Sequence, residues 1–248
     1  MASGTDEMSF WDHLDVLRGT LLRIAVAVVS ASVLVFCFKS FVFDSILLAP
    51  AKSDFFIYRW LGVDFTMKLI NTDISAQFFV HLRTSVILAL ILAFPYVCYE
   101  LWKFVAPGLY EKEKAAVRKA FGFAGVLFYL GIAVGYVLLF PVTLNFFQGY
   151  SVSEYVENTI TLNSYISMFT SMVLLLGIVF EFPAVIAVLS NMGVIGKSQL
   201  KAFRKYAFVG ILVISAVITP ADPMSMIIAA MPLYGLYELS ILACRDNK

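Results

Sequence analysis

Residues 171–189 read SMVLLLGIVFEFPAVIAVL, with Glu181 as their only ionisable side chain. A helix of about 20 apolar residues crosses the hydrocarbon core of a bilayer. Of the 248 residues in the chain, 61% are hydrophobic and 14% are charged, whereas a soluble domain is about half apolar and about a quarter charged. The composition excludes a secreted domain, a cytosolic enzyme and a disordered regulator, and it predicts an integral membrane protein.

Apolar runs of this kind recur along the chain and predict a single all-α membrane domain, a bundle of six transmembrane helices. The predicted spans are 21–43, 79–104, 120–143, 164–189, 206–218 and 224–243.

The last two predicted spans are short. Residues 206–218 extend only about 20 Å as a helix, against a hydrocarbon core of about 30 Å. Residues 218–223 read ITPADP and predict the turn that separates the two spans, because two prolines beside an aspartate break a helix. The pair therefore requires a locally thinned bilayer or a water-filled recess. A hairpin buried inside the bundle is the alternative.

Lysine and arginine residues predict the orientation, because they are enriched on the cytoplasmic side of a membrane. Thirteen of the 18 fall on one predicted side: Arg18, Arg23, Lys103, Lys112, Lys114, Arg118, Lys119, Lys197, Lys201, Arg204, Lys205, Arg245 and Lys248. The other five are Lys39, Lys52, Arg59, Lys68 and Arg83. We therefore expect both termini in the cytoplasm, residues 1–20 as a cytoplasmic amphipathic N-terminus, and 44–77 as an outer loop whose aromatic residues lie on the membrane surface.

The chain lacks the motifs of an enzyme or a metal protein. It contains no G-x-S-x-G, no H-E-x-x-H and no Walker A motif, and His13 and His81 lie on opposite predicted sides of the membrane. Cys37, Cys98 and Cys244 are far apart and are expected to be small buried apolar residues. We expect no catalytic residue, no cofactor, no metal and no binding of nucleic acid.

The N-terminal segment has a polar face that carries Asp12, Asp15 and Arg18 at helical spacing. The opposite face is apolar, which is typical of an interfacial helix leading into the first span. A surface ion pair between Asp15 and Arg18 is the simplest structural interpretation. His13 is expected to be an interfacial or packing residue and not a metal ligand, because no partner ligand follows it at helical spacing.

A second polar segment follows the span at 79–104. Pro107-Gly108 is a turn signal, and a helix is expected to begin near Leu109 or Tyr110. Glu111 and Glu113 then fall in the first helical turn, where the helix dipole favours carboxylates. Alternatively, a carboxylate at this edge binds a cationic ligand through a charge-assisted hydrogen bond. The sequence leaves both interpretations open.

Glu181 is expected to be functional, because a carboxylate deep in a membrane is costly unless it meets a partner or water. Pro183 frees a backbone carbonyl in the preceding turn. The alternative is a neutral carboxylic acid held by a hydrogen bond. If Glu181 and Glu238 instead acted as relay carboxylates, the chain would be a proton- or ion-coupled secondary transporter.

Short motifs in a fixed order give the chain a resemblance to the TatC family, the polytopic core subunit of the twin-arginine protein translocase. The resemblance extends over essentially the whole chain and rests on these matches: His13-Leu14-Asp15-Val16-Leu17-Arg18, Ala49-Pro50, Leu101 to Glu113 (LWKFVAPGLYEKE), Phe140-Pro141, Phe180-Glu181-Phe182-Pro183 and Thr219-Pro220-Ala221-Asp222.

The resemblance implies a receptor in the cell inner membrane that binds twin-arginine signal peptides of folded cargo at its cytoplasmic face. It implies TatA- and TatB-type single-span partners, contact with membrane lipid, self-association in the complex, and export driven by the proton-motive force. It also implies six membrane helices with both termini inside, and no enzymatic activity.

The resemblance further assigns roles to individual residues. Glu113 would receive a signal-peptide arginine, in a site shaped by Phe104, Leu109 and Tyr110, with Arg18 in the N-terminal motif.

Three more residues are assigned elsewhere in the bundle. Glu181 would be the polar residue of the concave intramembrane face. Asp222 would be the acid of the last outer turn, and Pro50 the motif proline after the first span.

One position departs from the family pattern. The N-terminal motif usually reads His-Leu-x-Glu-Leu-Arg, and this chain has Val16 at the glutamate position. Asp15 is therefore the second expected acceptor, and Asp12 is another substitute.

Overall fold

The computed structural model describes residues 10–62, 67–153, 155, 158–220 and 222–244. Long helices dominate it and pack side by side as a bundle. The helices are α1 (Phe10–Cys37), α2 (Phe56–Leu61), α3 (Ala76–Val105), α4 (Glu111–Val134), α5 (Phe140–Gly149), α6 (Leu162–Val179), α7 (Phe182–Asn191), α8 (Lys197–Ile218) and α9 (Pro223–Ala243).

Two pairs of these helices form nearly continuous rods. A π-helical turn, Gly135–Leu139, joins α4 to α5. Phe180 and Glu181 join α6 to α7, and Pro183 lies in the first turn of α7. The α6–α7 rod is interrupted at this point because proline is tolerated in the first turn of a helix but disrupts the interior of one.

Five helical segments of the described chain are long and apolar enough to cross a membrane. They are His13–Cys37, Ala76–Gly108, Lys114–Gly149, Leu162–Asn191 and Pro223–Leu242. The predicted span at 206–218 is the second part of α8, whose first part carries Lys197, Lys201, Arg204 and Lys205. With these charges, α8 is not among the five segments.

The core of the bundle lies between the α4–α5 rod and α6. Phe140 is fully buried, and its ring meets the rings of Tyr165 and Phe169 edge-on at centroid distances of 5.2 and 5.0 Å. Edge-to-face geometry is the favoured arrangement of neighbouring aromatic rings. Elsewhere along this interface the backbones of α4 and α6 approach very closely. A Cβ atom added to Gly131 would lie only 2.8 Å from the Cα of Gly177.

The segment after α1 packs into the bundle. The predicted position of its aromatic residues on a surface agrees with the exposure of Phe56 and Trp60. It is wrong for Phe55 and Tyr58, which are buried together with their aliphatic neighbour Ile57. They enter the core because the short helix α2 turns one face inward and the other outward.

Hydrogen bonds fix this segment to the bundle. The Tyr58 hydroxyl donates to the Pro50 carbonyl over 2.8 Å, and burial raises the pKa of Tyr58 above its usual range, which keeps the hydroxyl a donor. From the bundle side, the Tyr136 hydroxyl donates to the Ile46 carbonyl and the Tyr165 hydroxyl to the Leu47 carbonyl, each over 2.8 Å.

Two short strands modify the all-α expectation. Strand β1 (Leu69–Ile70) pairs in parallel with β2 (Ile160–Thr161), with Leu69 opposite Ile160. The pair links the segment before α3 to the connection before α6. It is too short to show in a hydropathy pattern.

The cysteines differ in exposure. Cys244 is buried as predicted, and Cys98 is half-buried, but Cys37 is exposed. Cys37 ends α1, which packs mainly on α3 and leaves Val29 and Val33 of its other face exposed. In a membrane that face meets lipid, so an exposed thiol there remains in apolar surroundings.

Candidate functional site

The beginning of α1 contacts the end of α3. The rings of His13 and Phe104 lie 4.5 Å apart, centroid to centroid, at an interplanar angle of 31°. His13 is thus a packing residue. The contact brings the N-terminal motif and the motif at 101–113 to the same end of the bundle.

The chain then turns and begins α4 as expected. Ala106–Gly108 form a single 3-10 turn, and Tyr110 is the residue before the first turn of α4. Leu109 is buried and anchors the turn, whereas Tyr110 is 79% exposed. Glu113 lies in the first turn of α4, but its side chain is outside the described part of the structure.

Asp15 and Arg18 are both exposed on α1. The ion pair expected between them is absent from the contacts of the described residues, so that prediction was wrong. An exposed ion pair adds little to the stability of a protein in water, so its absence costs the fold little. The Asp15 carboxylate is therefore accessible at the end of the bundle where His13 meets Phe104. The side chain of Asp12 is outside the described part.

Sequence reasoning missed a charged cluster deeper in the same helix pair. Arg23 Nε donates to Glu100 Oε2 over 2.8 Å, and Arg23 Nη2 donates to Thr20 Oγ1 over 3.0 Å. The Tyr96 hydroxyl also interacts with the Glu100 carboxylate. The signal was present in the sequence, because opposite charges lie inside two consecutive predicted spans at the same end.

Glu181 lies at the break between α6 and α7 and lines a cavity of about 320 Å³. The other walls come from α3, α4 and α7 and include Phe94, Cys98, Phe121, Ala124, Ala184 and Val188. Glu181 Oε1 is buried and has no hydrogen-bond partner in the described structure. An apolar cavity that contains one carboxyl group with a free oxygen can accept an apolar segment bearing a polar or cationic group.

Asp222 and Pro50 lie away from the beginning of α4. Asp222 caps α9, since its Oδ2 accepts from the Ser225 backbone N–H over 2.7 Å. The Ser225 hydroxyl bonds Thr143 Oγ1 over 2.7 Å, and Thr143 lies in α5, at the far end of the α4–α5 rod from Glu113. Pro50 is buried in a 3-10 turn. The two residues therefore belong to the opposite end of the bundle from Asp15.

Comparison with known proteins gives the chain a family. Residues 12–232 match the family model described as Sec-independent protein translocase protein (TatC). The TatC protein of Blattabacterium sp. subsp. Periplaneta americana is 35% identical over 256 residues, covering 97% of this chain and 96% of the relative. That of Desulforapulum autotrophicum is 36% identical, covering 99% and 87%. That of Escherichia coli is 31% identical, covering 94% and 86%.

The fold agrees with this match. A crystal structure of the twin arginine translocase receptor TatC in DDM superposes with a TM-score of 0.78 at 32% identity, over 94% of this chain and 99% of that chain. A second crystal structure of the receptor gives a TM-score of 0.75 at 33% identity, over 93% and 97%. With its several apolar helices, the chain is a multi-pass membrane protein, and it belongs to the TatC family of Sec-independent protein translocases.

Proposed function

We propose that this chain is the core receptor subunit of a twin-arginine translocase and binds twin-arginine signal peptides at the cytoplasmic face. The observation that carries the proposal is the contact between His13 and Phe104, which joins two motif segments at one end of a TatC-family bundle. The exposed carboxylate of Asp15 lies at this end, and Glu113 belongs to the first turn of α4, which follows Phe104 and the 3-10 turn.

The proposed topology has six membrane helices, with α8 as the fifth and both termini in the cytoplasm of a cell with an inner membrane. The excess of lysine and arginine on one predicted side supports this orientation. The charged first part of α8 then lies at the cytoplasmic surface, and its apolar remainder is short for a span. A bilayer thinned beside α8 and α9 would accommodate that length.

In the proposed site Glu113 accepts one arginine of the signal peptide and Asp15 accepts the other. A guanidinium bound to a carboxylate contributes roughly 1.5–3 kcal/mol. Phe104, Leu109 and Tyr110 shape the surface around Glu113.

The apolar part of the signal peptide then lies along the cavity that contains Glu181. Asp222 and Pro50 act at the outer end, apart from peptide capture. TatA- and TatB-type single-span subunits and further copies of the chain complete the complex, and the proton-motive force drives export. The proposal assigns no catalytic step and no cofactor to this chain.

The test is binding of a labelled twin-arginine signal peptide to the full chain in membranes. We expect Glu113→Ala to weaken binding about tenfold or more, because 1.4 kcal/mol corresponds to a factor of ten. Asp15→Ala should weaken it less, and a twin-lysine peptide should bind worse to the wild type because lysine lacks the bidentate fork. Asp73→Ala, which removes an exposed acid before α3, is the matched control. Unchanged binding in both Glu113→Ala and Asp15→Ala would refute the site.

The transporter alternative needs Glu238 as a relay group. In the structure Glu238 Oε2 accepts from Arg204 Nη2 over 2.6 Å, and Oε1 accepts from the Tyr234 hydroxyl over 3.2 Å. Both oxygens therefore have partners, which favours a structural tie between α8 and α9. Uptake of small solutes by the purified chain in vesicles would support the alternative, and co-purification with single-span amphipathic proteins would support the receptor.

A further inference from the structure

A groove runs between α3 and α4 on the outside of the bundle. Its volume is about 300 Å³, and its walls include Pro95, Tyr99, Trp102, Arg118 and Phe121. Trp102 and Arg118 lie toward the 3-10 turn that joins the two helices. Pro95 of α3 and Gly125 of α4 lie deeper in the two spanning segments. From Arg118 to Gly125 the helix rises about 10 Å.

This groove is separate from the cavity that contains Glu181. Cys98 and Phe121 line both spaces and form the seam between them. On one side of the seam, Leu101 and Ala124 face α7 and Glu181. Because the groove lies on the other side, it faces away from the path proposed for the signal peptide and does not depend on that proposal.

The rim of the groove carries one kind of charge. Arg118 is its charged lining residue and is exposed, and none of the described acidic side chains pairs with it. Trp102 packs against Phe121 at a centroid distance of 5.7 Å, and Tyr99 is 58% exposed. Tryptophan and tyrosine are typical of the level of lipid headgroups.

The deeper part of the groove is open because α4 has glycine there. A Cβ atom added to Gly122 or Gly125 would meet no protein atom within 4 Å. The space beside these glycines is therefore available to a molecule from outside the chain, and a larger side chain could fill it without disturbing the packing of the bundle.

We propose that this groove binds one anionic phospholipid, with the lipid phosphate on the Arg118 guanidinium and an acyl chain along Gly122 and Gly125. Charge complementarity selects this occupant, because a guanidinium that pairs with no acidic side chain of the described residues attracts a phosphate at headgroup level. The groove also opens from a membrane-spanning helix pair directly to surrounding lipid. Basic pockets between membrane helices favour anionic headgroups in this way.

Trp102 provides a local probe of the site. In the background Trp11→Phe/Trp60→Phe, Trp102 is the remaining tryptophan of the three in the chain. Its fluorescence is measured in vesicles that contain phosphatidylglycerol or phosphatidylcholine with the same brominated acyl chains, which quench on contact. We expect phosphatidylglycerol to quench with about a fivefold higher apparent affinity, the equivalent of about 1 kcal/mol for one basic residue.

Two variants and one control decide the outcome. Arg118→Gln should bring the two lipids to equal quenching, and Gly125→Leu should weaken quenching by both. Lys119→Gln removes the next cation along α4, which does not line the groove, and should leave the preference intact. Equal quenching by both lipids in the wild type, or the same loss in Lys119→Gln as in Arg118→Gln, would overturn the proposal. So would a change of oligomeric state in Gly125→Leu, because the groove would then hold protein.

Discussion

Arg23 of α1 and Glu100 of α3 are 77 residues apart in sequence and form an ion pair of 2.8 Å between Nε and Oε2. The two partners differ in exposure, since the side chain of Arg23 is 45% exposed and that of Glu100 only 4%. Glu100 precedes Phe104 by one helical turn on the same face of α3. The ion pair therefore fixes α1 against α3 close to the contact between Phe104 and His13.

The unequal exposure predicts unequal effects of removing either partner. Arg23→Gln leaves a buried carboxylate without its ion-pair partner and should lower the thermal unfolding midpoint clearly. Glu100→Gln leaves a guanidinium that water can reach, so it should lower the midpoint less. The asymmetry follows because a buried unpaired charge costs more than a solvated one. Thermal unfolding of the purified protein in detergent measures both.

The double variant Arg23→Gln/Glu100→Gln serves as the control for this pair. It removes both charges and keeps hydrogen-bonding groups of similar size, so its midpoint should lie above that of Arg23→Gln alone. Equal midpoints for the two single variants would contradict the assignment of Glu100 as the buried partner.

Gly131→Ala is expected to destabilise the bundle by about 1–3 kcal/mol, the usual cost of overpacking a core. The new methyl group would lie 2.8 Å from both Gly177 Cα and the Leu176 carbonyl oxygen. Backbone atoms cannot move aside as a flexible side chain can, so α4 and α6 must separate. Gly125→Ala, in the same helix but with no atom beyond the backbone of its own helix within 4 Å of the added carbon, should not lower the unfolding midpoint, since alanine favours a helix over glycine. Equal stability of the two variants would show that α4 and α6 do not meet at Gly131.

Glu181→Ala should reduce export by about tenfold or more, equivalent to about 1.4 kcal/mol in a rate-limiting step, and should leave signal-peptide capture near the wild-type level. We expect this difference because Glu181 lines a cavity within the bundle, whereas Asp15, a proposed acceptor of the signal-peptide arginines, lies near the beginning of α1. Export of a folded reporter and peptide crosslinking are the two readouts. Val188→Ala changes another wall of the same cavity without removing a polar group and should affect neither. A parallel loss of both activities in Glu181→Ala would indicate a role in folding instead.

Asp222→Ala should cost about 1 kcal/mol of stability, because it removes the side-chain cap from the first turn of α9. Asp222→Asn should lose less, since an amide oxygen can still accept from the Ser225 N–H. Thr161→Ala is a matched control, because Thr161 Oγ1 caps α6 through the Ser164 N–H over 3.2 Å. If Asp222 also acts in export at the outer end, Asp222→Ala should impair export while Thr161→Ala does not. An equal loss of export in Asp222→Ala and Thr161→Ala would indicate that Asp222 only caps α9.

The sequence alone predicted that the chain is an integral membrane protein, and it predicted the approximate ends of the helices that adjoin polar motifs. The turn at 218–223 was predicted, and α8 ends at Ile218 and α9 begins at Pro223. The start of α4 was predicted near Leu109 or Tyr110, and the helix begins at Glu111. These features are readable because transfer of a side chain from water to lipid, and the backbone restrictions of proline, depend on the residue and its immediate neighbours. The motifs that carry the family resemblance are likewise short runs of neighbouring residues, which can be recognised without the fold.

Only the tertiary structure decided which residues meet across the bundle. It paired Arg23 with Glu100, left Asp15 and Arg18 apart, and buried Tyr58 where a surface position was expected. The first and the last of these outcomes depend on how segments far apart in sequence pack together, and hydropathy contains no information about which face of a helix meets which neighbour. The Glu100 carboxylate and the Tyr58 hydroxyl need partners because packing removes water from them, and that removal is a property of the assembled bundle.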